Sequence, residues 1–303
     1  MTDASLADAS TPEPDAPETR ERGWRAFWNR GGWWKALIVV VVYLAVYQLL
    51  PIVLLPLTRP VMDENLFATP GSVFAGLALP VILGSIVLLA FAWSLGWLPR
   101  PLFGRQPVRG RWWMWLAPVL VLIPIVLRLF GTDYASYSAG VIVMTFVAGL
   151  FIGLSEELVT RGLVVTLMRK AGHAEWAVAA VSALFFSLMH SVNALTGQGV
   201  EAVGFTLLYT FAFGILMYLT MRVTGSLVWA IVLHGLTDPT TFLATGGVDK
   251  TGGAAAESPL LALTAPATIL LIIGGFLLLI FIRGRATPLA ATVAGADTPA
   301  RQG

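Results

Sequence analysis

Eight apolar runs, each about as long as a helix needs to cross a bilayer, restrict what this 303-residue chain can fold into. A hydrocarbon core about 30 Å thick takes about 20 apolar residues of helix. The runs fall at roughly 35–57, 71–97, 112–130, 138–168, 174–195, 200–221, 225–244 and 259–282. The expected fold class is therefore all-α: a polytopic membrane protein, a bundle of about eight transmembrane helices. Only 12% of the residues are charged, against about a quarter in a soluble domain, which is too few for a water-exposed surface.

The ends read differently. Residues 1–22 are rich in Pro, Asp, Glu, Ala and Thr and cannot bury enough apolar surface to offset ordering. No short apolar stretch with a cleavage site precedes the first run, so that run is expected to act as the insertion signal. The domain reading has five parts: a cytoplasmic tail over 1–30, helices one to three over 31–136, and a core of helices four to seven over 137–245. A loop with helix eight (246–285) and a second tail (286–303) complete it.

Lys and Arg set the expected orientation. With the N-terminus cytoplasmic, 15 of the 19 fall in cytoplasmic segments, and Arg59, Arg128 and Lys250 on the opposite side. Arg161 lies within a run. This asymmetry predicts both termini inside an integral (plasma) membrane protein. Trp24, Trp28, Trp33 and Trp34, and later Trp112, Trp113 and Trp115, are expected as interfacial anchors. The net charge of +2 offers no field for nucleic acid, which is not expected as a partner. The absence of cysteine excludes a thiol nucleophile, thiolate metal sites and disulfides.

Ionisable groups well inside the runs are few: Glu156, Glu157 and Arg161 in the fourth, His190 in the fifth, and His234 and Asp238 in the seventh. A central charge costs about 2.5–3.5 kcal/mol on insertion scales, so each is a functional candidate. Glu157 and Arg161 have the i, i+4 spacing and order of a helical ion pair. Glu156 lies about 100° round the helix, without a partner in its own run. His190 shares a face with Phe186 and Asn193. These two are expected to support packing or substrate rather than carry chemistry. His234 and Asp238 share a face, where the carboxylate can orient an imidazole or join it at a metal or water. Pro239 disfavours helical geometry at Asp238, so a kink or opening is expected there. Gly149, Gly153, Gly225 and Gly235 are expected to let helices pack closely. At about 1.5 Å per residue the polar groups of the three runs reach similar depths, which one shared site explains. Two imidazoles with one or two carboxylates suit water activation and oxyanion binding. The same set (Glu156, His190, His234, Asp238) suits zinc with an open position, so the cofactor expectation is either zinc or none.

Glu156-Glu157-x-x-x-Arg161, Phe186-x-x-x-His190 and His234-x-x-x-Asp238 resemble, in order and spacing, the three signature motifs of the CAAX-protease and bacteriocin-processing (CPBP) family of intramembrane endopeptidases. The resemblance spans roughly residues 140–240. It implies an eight-helix bundle that hydrolyses a peptide bond of a membrane-associated or lipidated protein or peptide. Glu156, Glu157, Arg161, His190, His234 and Asp238 would form its site. By analogy Glu156 and His190 activate water, while His234 and residue 238 stabilise the oxyanion. Position 238 is commonly Asn in prenyl-protein proteases; an ionised Asp cannot donate a hydrogen bond. The implied partners are a protein or peptide substrate at the membrane and the lipid bilayer. Two other readings stand beside it: a non-catalytic relative acting as an immunity or scaffold protein, and a proton-coupled transporter.

Overall fold

A computed structural model describes residues 23–248 and 258–286. The expected tails over 1–22 and 287–303 and the loop centre over 249–257 lie outside the described residues. A short helix, α1 (Trp24–Asn29), precedes eight helices long and apolar enough to cross a membrane. These are α2 (Trp33–Val61), α3 (Pro70–Ser94), α4 (Trp112–Gly131), α5 (Ala139–Lys170), α6 (Glu175–Ala194), α7 (Val200–Thr224), α8 (Leu227–Thr245) and α9 (Pro259–Ile280). Their bounds lie within a few residues of the apolar runs. No strand occurs among the described residues beyond one isolated bridge, Ala174 to Arg285.

The stretch read as tail up to residue 30 thus ends in structure. Trp28 of α1 is buried, edge-on to Phe91 at 5.0 Å, so it is a packing residue rather than a lipid-facing anchor. Trp24, Trp33, Trp34, Trp112 and Trp115 are exposed, as an interfacial belt requires.

The bundle has two chemically distinct ends. At one, Arg169 binds Glu175 through two parallel hydrogen bonds of 2.9 and 2.7 Å and reaches Gln106 at 2.6 Å. Tyr218 donates to the same Glu175, and Arg222 donates to the carbonyls of Arg109 and Arg283. The loops after α3, α5, α7 and α9 are knotted together here, and they are loops that the Lys/Arg count assigns to one side. At the other end Tyr137 donates to the Leu243 carbonyl at 2.9 Å, Phe67 lies 6.3 Å from Phe242, and Pro70 packs on Gly140.

Helices α5 and α8 approach most closely, and glycine is the reason. A Cβ on Gly153 would sit 2.5 Å from the Ile231 carbonyl and 2.6 Å from the Gly235 nitrogen; one on Gly149 would sit 2.5 Å from the Pro239 ring. Small residues let backbones approach where lipid supplies no hydrophobic drive. Gly225 does something else. Its φ of 76° closes the C-terminus of α7 in the left-handed region, and its carbonyl accepts from Gln106.

No opening accompanies Pro239; α8 runs through Asp238 and Pro239 unbroken. Thr237, Thr240, Thr241 and Thr245 each donate a hydroxyl hydrogen bond to the carbonyl four residues back, at 2.7–2.9 Å. Such side chains supply polar partners for the backbone of a proline-containing membrane helix.

Gly153→Val forces these backbones apart, and overpacking of this kind costs about 1–3 kcal/mol or more. The expected outcome is a lowered thermal midpoint in detergent. Gly204→Val, where nothing lies within 4 Å of the added Cβ, should leave it unchanged.

Candidate active site

In α5 the backbone widens into a π-helical stretch, Leu158–Val164, directly after Glu156 and Glu157. Such bulges occur frequently at functional sites because they re-aim side chains without ending the helix. The neighbouring carboxylates then face different surroundings.

Glu157 is fully buried. Its Oε1 accepts from Arg161 Nη1 at 2.9 Å and meets His234 Nδ1 at 2.8 Å. A carboxylate oxygen in the i, i+4 ion pair can only accept from the ring nitrogen, so Nδ1 carries a proton. The imidazole is thereby fixed in tautomer and orientation. Arg161 uses Nη1 again on the Thr160 hydroxyl at 2.6 Å and lays its guanidinium 4.5 Å above the Phe186 ring. Its Nε and Nη2 have no hydrogen-bond partner among the described residues; the aromatic face supplies the attraction instead.

On its other side His234 Nε2 stands 3.6 Å from both Glu156 Oε2 and Asp238 Oδ2. Phe186 is perpendicular to the His234 ring at 5.6 Å and Phe213 nearly so at 5.0 Å, so the imidazole is held by edges and faces as well as by hydrogen bonds. His190 caps the regular part of α6, where the chain tightens into a 3₁₀ turn. Its Nδ1 lies 3.0 Å from the Phe186 carbonyl, which can only accept, so in the neutral ring Nε2 bears the lone pair.

Glu156, His190, Asn193, His234 and Asp238 line one cavity of about 170 Å³, together with Tyr43, Tyr47, Leu77, Ile152 and Phe242. The six polar residues singled out from sequence are thus assembled in one place. Glu157 and Arg161 lie behind the cavity wall and hold His234 in it. A larger hollow of about 760 Å³ lies at the Arg169 end, contains neither imidazole nor carboxylate, and shares no lining residue with the first.

Three features escaped the sequence reading. Glu157, not Asp238, takes the Nδ1 side of His234; the two are 77 residues apart, and no local pattern links them. Phe213 is one apolar residue among many in α7. Tyr43 and Tyr47 left a legible trace, as two polar-tipped rings four residues apart in an otherwise aliphatic run. The donor types suit zinc, but among the described residues no three His, Asp or Glu side chains close round one position as metal ligands. Nδ1 of both histidines is already engaged.

Glu157→Gln leaves Arg161 buried without its counter-charge, and breaking one member of a buried pair costs about 3–5 kcal/mol. The thermal midpoint should fall by several degrees. Adding Arg161→Met should recover part of the loss, which a double-mutant cycle in detergent measures.

Residues 138–240, which contain every member of this cluster, match the family model described as Rce1-like, Type II CAAX prenyl endopeptidase Rce1-like. No curated protein matches the chain. The matched segment runs from the start of α5 through most of α8, roughly a third of the sequence. The motif order, the eight apolar helices and this match together place the chain, through its 138–240 segment, in the CAAX prenyl endopeptidase family of CPBP type.

Proposed function

We propose that the chain is an intramembrane endopeptidase that hydrolyses a peptide bond of a membrane-associated protein or peptide, using water activated by Glu156 and His190. The observation that supports it best is the setting of His234. One ring nitrogen is locked on Glu157, and the other faces Glu156 and Asp238 inside a cavity within the bundle.

Peptide hydrolysis needs a base for water, a donor for the oxyanion and a proton for the leaving amine. Glu156, with its carboxylate partly exposed to the cavity, and His190 Nε2 are the bases. Water held between them gives up a proton as its oxygen attacks the scissile carbonyl. The carbonyl oxygen becomes the oxyanion and accepts from Nε2–H of the His234 imidazolium, whose Nδ1–H stays on Glu157. The proton taken from water then passes to the amine nitrogen as the C–N bond breaks. General acid–base help of this kind contributes about 10²–10⁴-fold and one oxyanion donor about 10²–10³-fold. Asp238 faces the same ring nitrogen, and no step here passes through a metal.

Glu156→Gln keeps shape and polarity while removing the base. Cleavage of an accumulated membrane substrate should drop by at least about 10²-fold at unchanged folding and insertion. A well-folded Gln chain with full turnover would leave a scaffold or immunity role in its place.

Asp238→Asn replaces an acceptor by an amide that can also donate toward the oxyanion. Activity should be retained or raised, and a chelator should not alter it. Loss in the Asn chain, together with chelator sensitivity and about one bound zinc, would refute the metal-free route and restore Asp238 as a ligand or as the group that orients one.

A further inference from the structure

We infer that the cavity is entered from the face opposite the Arg-rich loops, so that the substrate is a polypeptide segment presented on the non-cytoplasmic side of the membrane. This rests on the proteolytic reading of the cavity and on the Lys/Arg asymmetry for the sign of the membrane.

The two ends of the bundle fix the direction. Arg105, Arg109, Arg169, Arg222 and Arg283 gather at one end, and the positive-inside rule makes it cytoplasmic. The cavity lining runs the other way. From Glu156 and His234 it passes Asp238 and Phe242 to Val248, an exposed residue in the loop beyond α8, and to Val192 and Asn193 at the end of α6. Exposure follows the same gradient: the side chains of Glu156 and Asp238 are 20% and 23% exposed, whereas those of Glu157 and Arg161 are 0%.

Behind the ion pair the bundle is closed. Leu158, Leu163, Phe213 and Tyr218 are buried between His234 and the Arg-rich end. The hollow that opens at that end is lined by Arg25, Arg100, Arg105, Arg169 and Lys170 and stops at Arg161. Glu157 and Arg161 therefore form a charged floor between the two spaces. A chain arriving from the cytoplasm would have to break this pair to reach Glu156.

Asp238 lies seven residues and His234 eleven before the end of α8, about 10 and 16 Å at 1.5 Å per residue. An extended peptide advances about 3.3 Å per residue, so three to five residues reach the reacting groups from that end. The chemistry favours a translocated or membrane-anchored polypeptide whose scissile bond lies a few residues below the outer interface. A lipidated C-terminus confined to the cytoplasm does not fit.

The chain has no cysteine, so single thiols report cleanly. Tyr47→Cys lies in the cavity wall, Val248→Cys at its rim and Arg105→Cys in the opposite hollow. Each variant, recovered as a single species in detergent, is treated with a membrane-impermeant thiosulfonate in intact cells and in inverted vesicles. The expected result is labelling of Tyr47→Cys and Val248→Cys in intact cells, and of Arg105→Cys in inverted vesicles only. Labelling of Tyr47→Cys from the cytoplasmic face alone, or from neither face, overturns the inference, as does reversal of the Val248 and Arg105 results. Sidedness is read without any cleavage assay. If the protease reading fails, active Glu156→Gln protein reveals it and the labelling pattern is unaffected.

Discussion

Glu157 is the constraint on which the rest of the site depends. A carboxylate inside a bundle that excludes water must be met by positive charge or by donors, and here two groups meet it on one oxygen, Arg161 from its own helix and His234 from another. The first contact needs only helical spacing. The second needs α8 to lie against α5, which the Gly149, Gly153 and Gly235 contacts permit. With Glu157 committed to the interior, the next residue round the helix, Glu156, is turned to the cavity. One residue step separates the carboxylate that holds the site together from the one assigned the chemistry.

The same economy recurs in α8. Pro239 removes an N–H beside Asp238, yet the helix continues because a run of threonines supplies hydroxyl partners to the backbone. The ring of Pro239 also packs on the Gly149 position, so a residue that would break a soluble helix becomes part of the contact that sets the distance between the motifs. The π-helical stretch of α5 plays the matching part on the other side. It follows the two glutamates and carries Arg161, whose guanidinium rests on Phe186 beneath both imidazoles.

Much of this was legible in the sequence because membrane solvation is so restrictive. Apolar run lengths located all eight long helices to within a few residues, and the scarcity of charge picked out Glu156, Glu157, Arg161, His190, His234 and Asp238 as a group. What remained hidden depends on distance in sequence or on geometry within a turn. Nothing local tells Glu157 from Asp238 as the partner of His234 Nδ1. The helix at Asp238 stays intact through Thr side chains whose contribution is a three-dimensional matter. Trp28 reads as a membrane anchor by composition and is buried because α1 folds back onto Phe91. Arg169 reads as a boundary charge because Glu175, which neutralises it, lies beyond a turn.

That last pair bears on how the protein is made. Arg169 and Glu175 are six residues apart, on either side of the turn between α5 and α6, and form two parallel hydrogen bonds. Their partnership needs nothing beyond the hairpin itself, so it can be complete as soon as these two helices have been synthesised, before Tyr218 and Arg222 of α7 exist to join them. Glu175 therefore need not wait as an isolated charge at the bilayer boundary while the later helices are delivered. The catalytic hairpin can be stitched at its cytoplasmic end first, and α7 and α8 then assemble against a seam already neutralised.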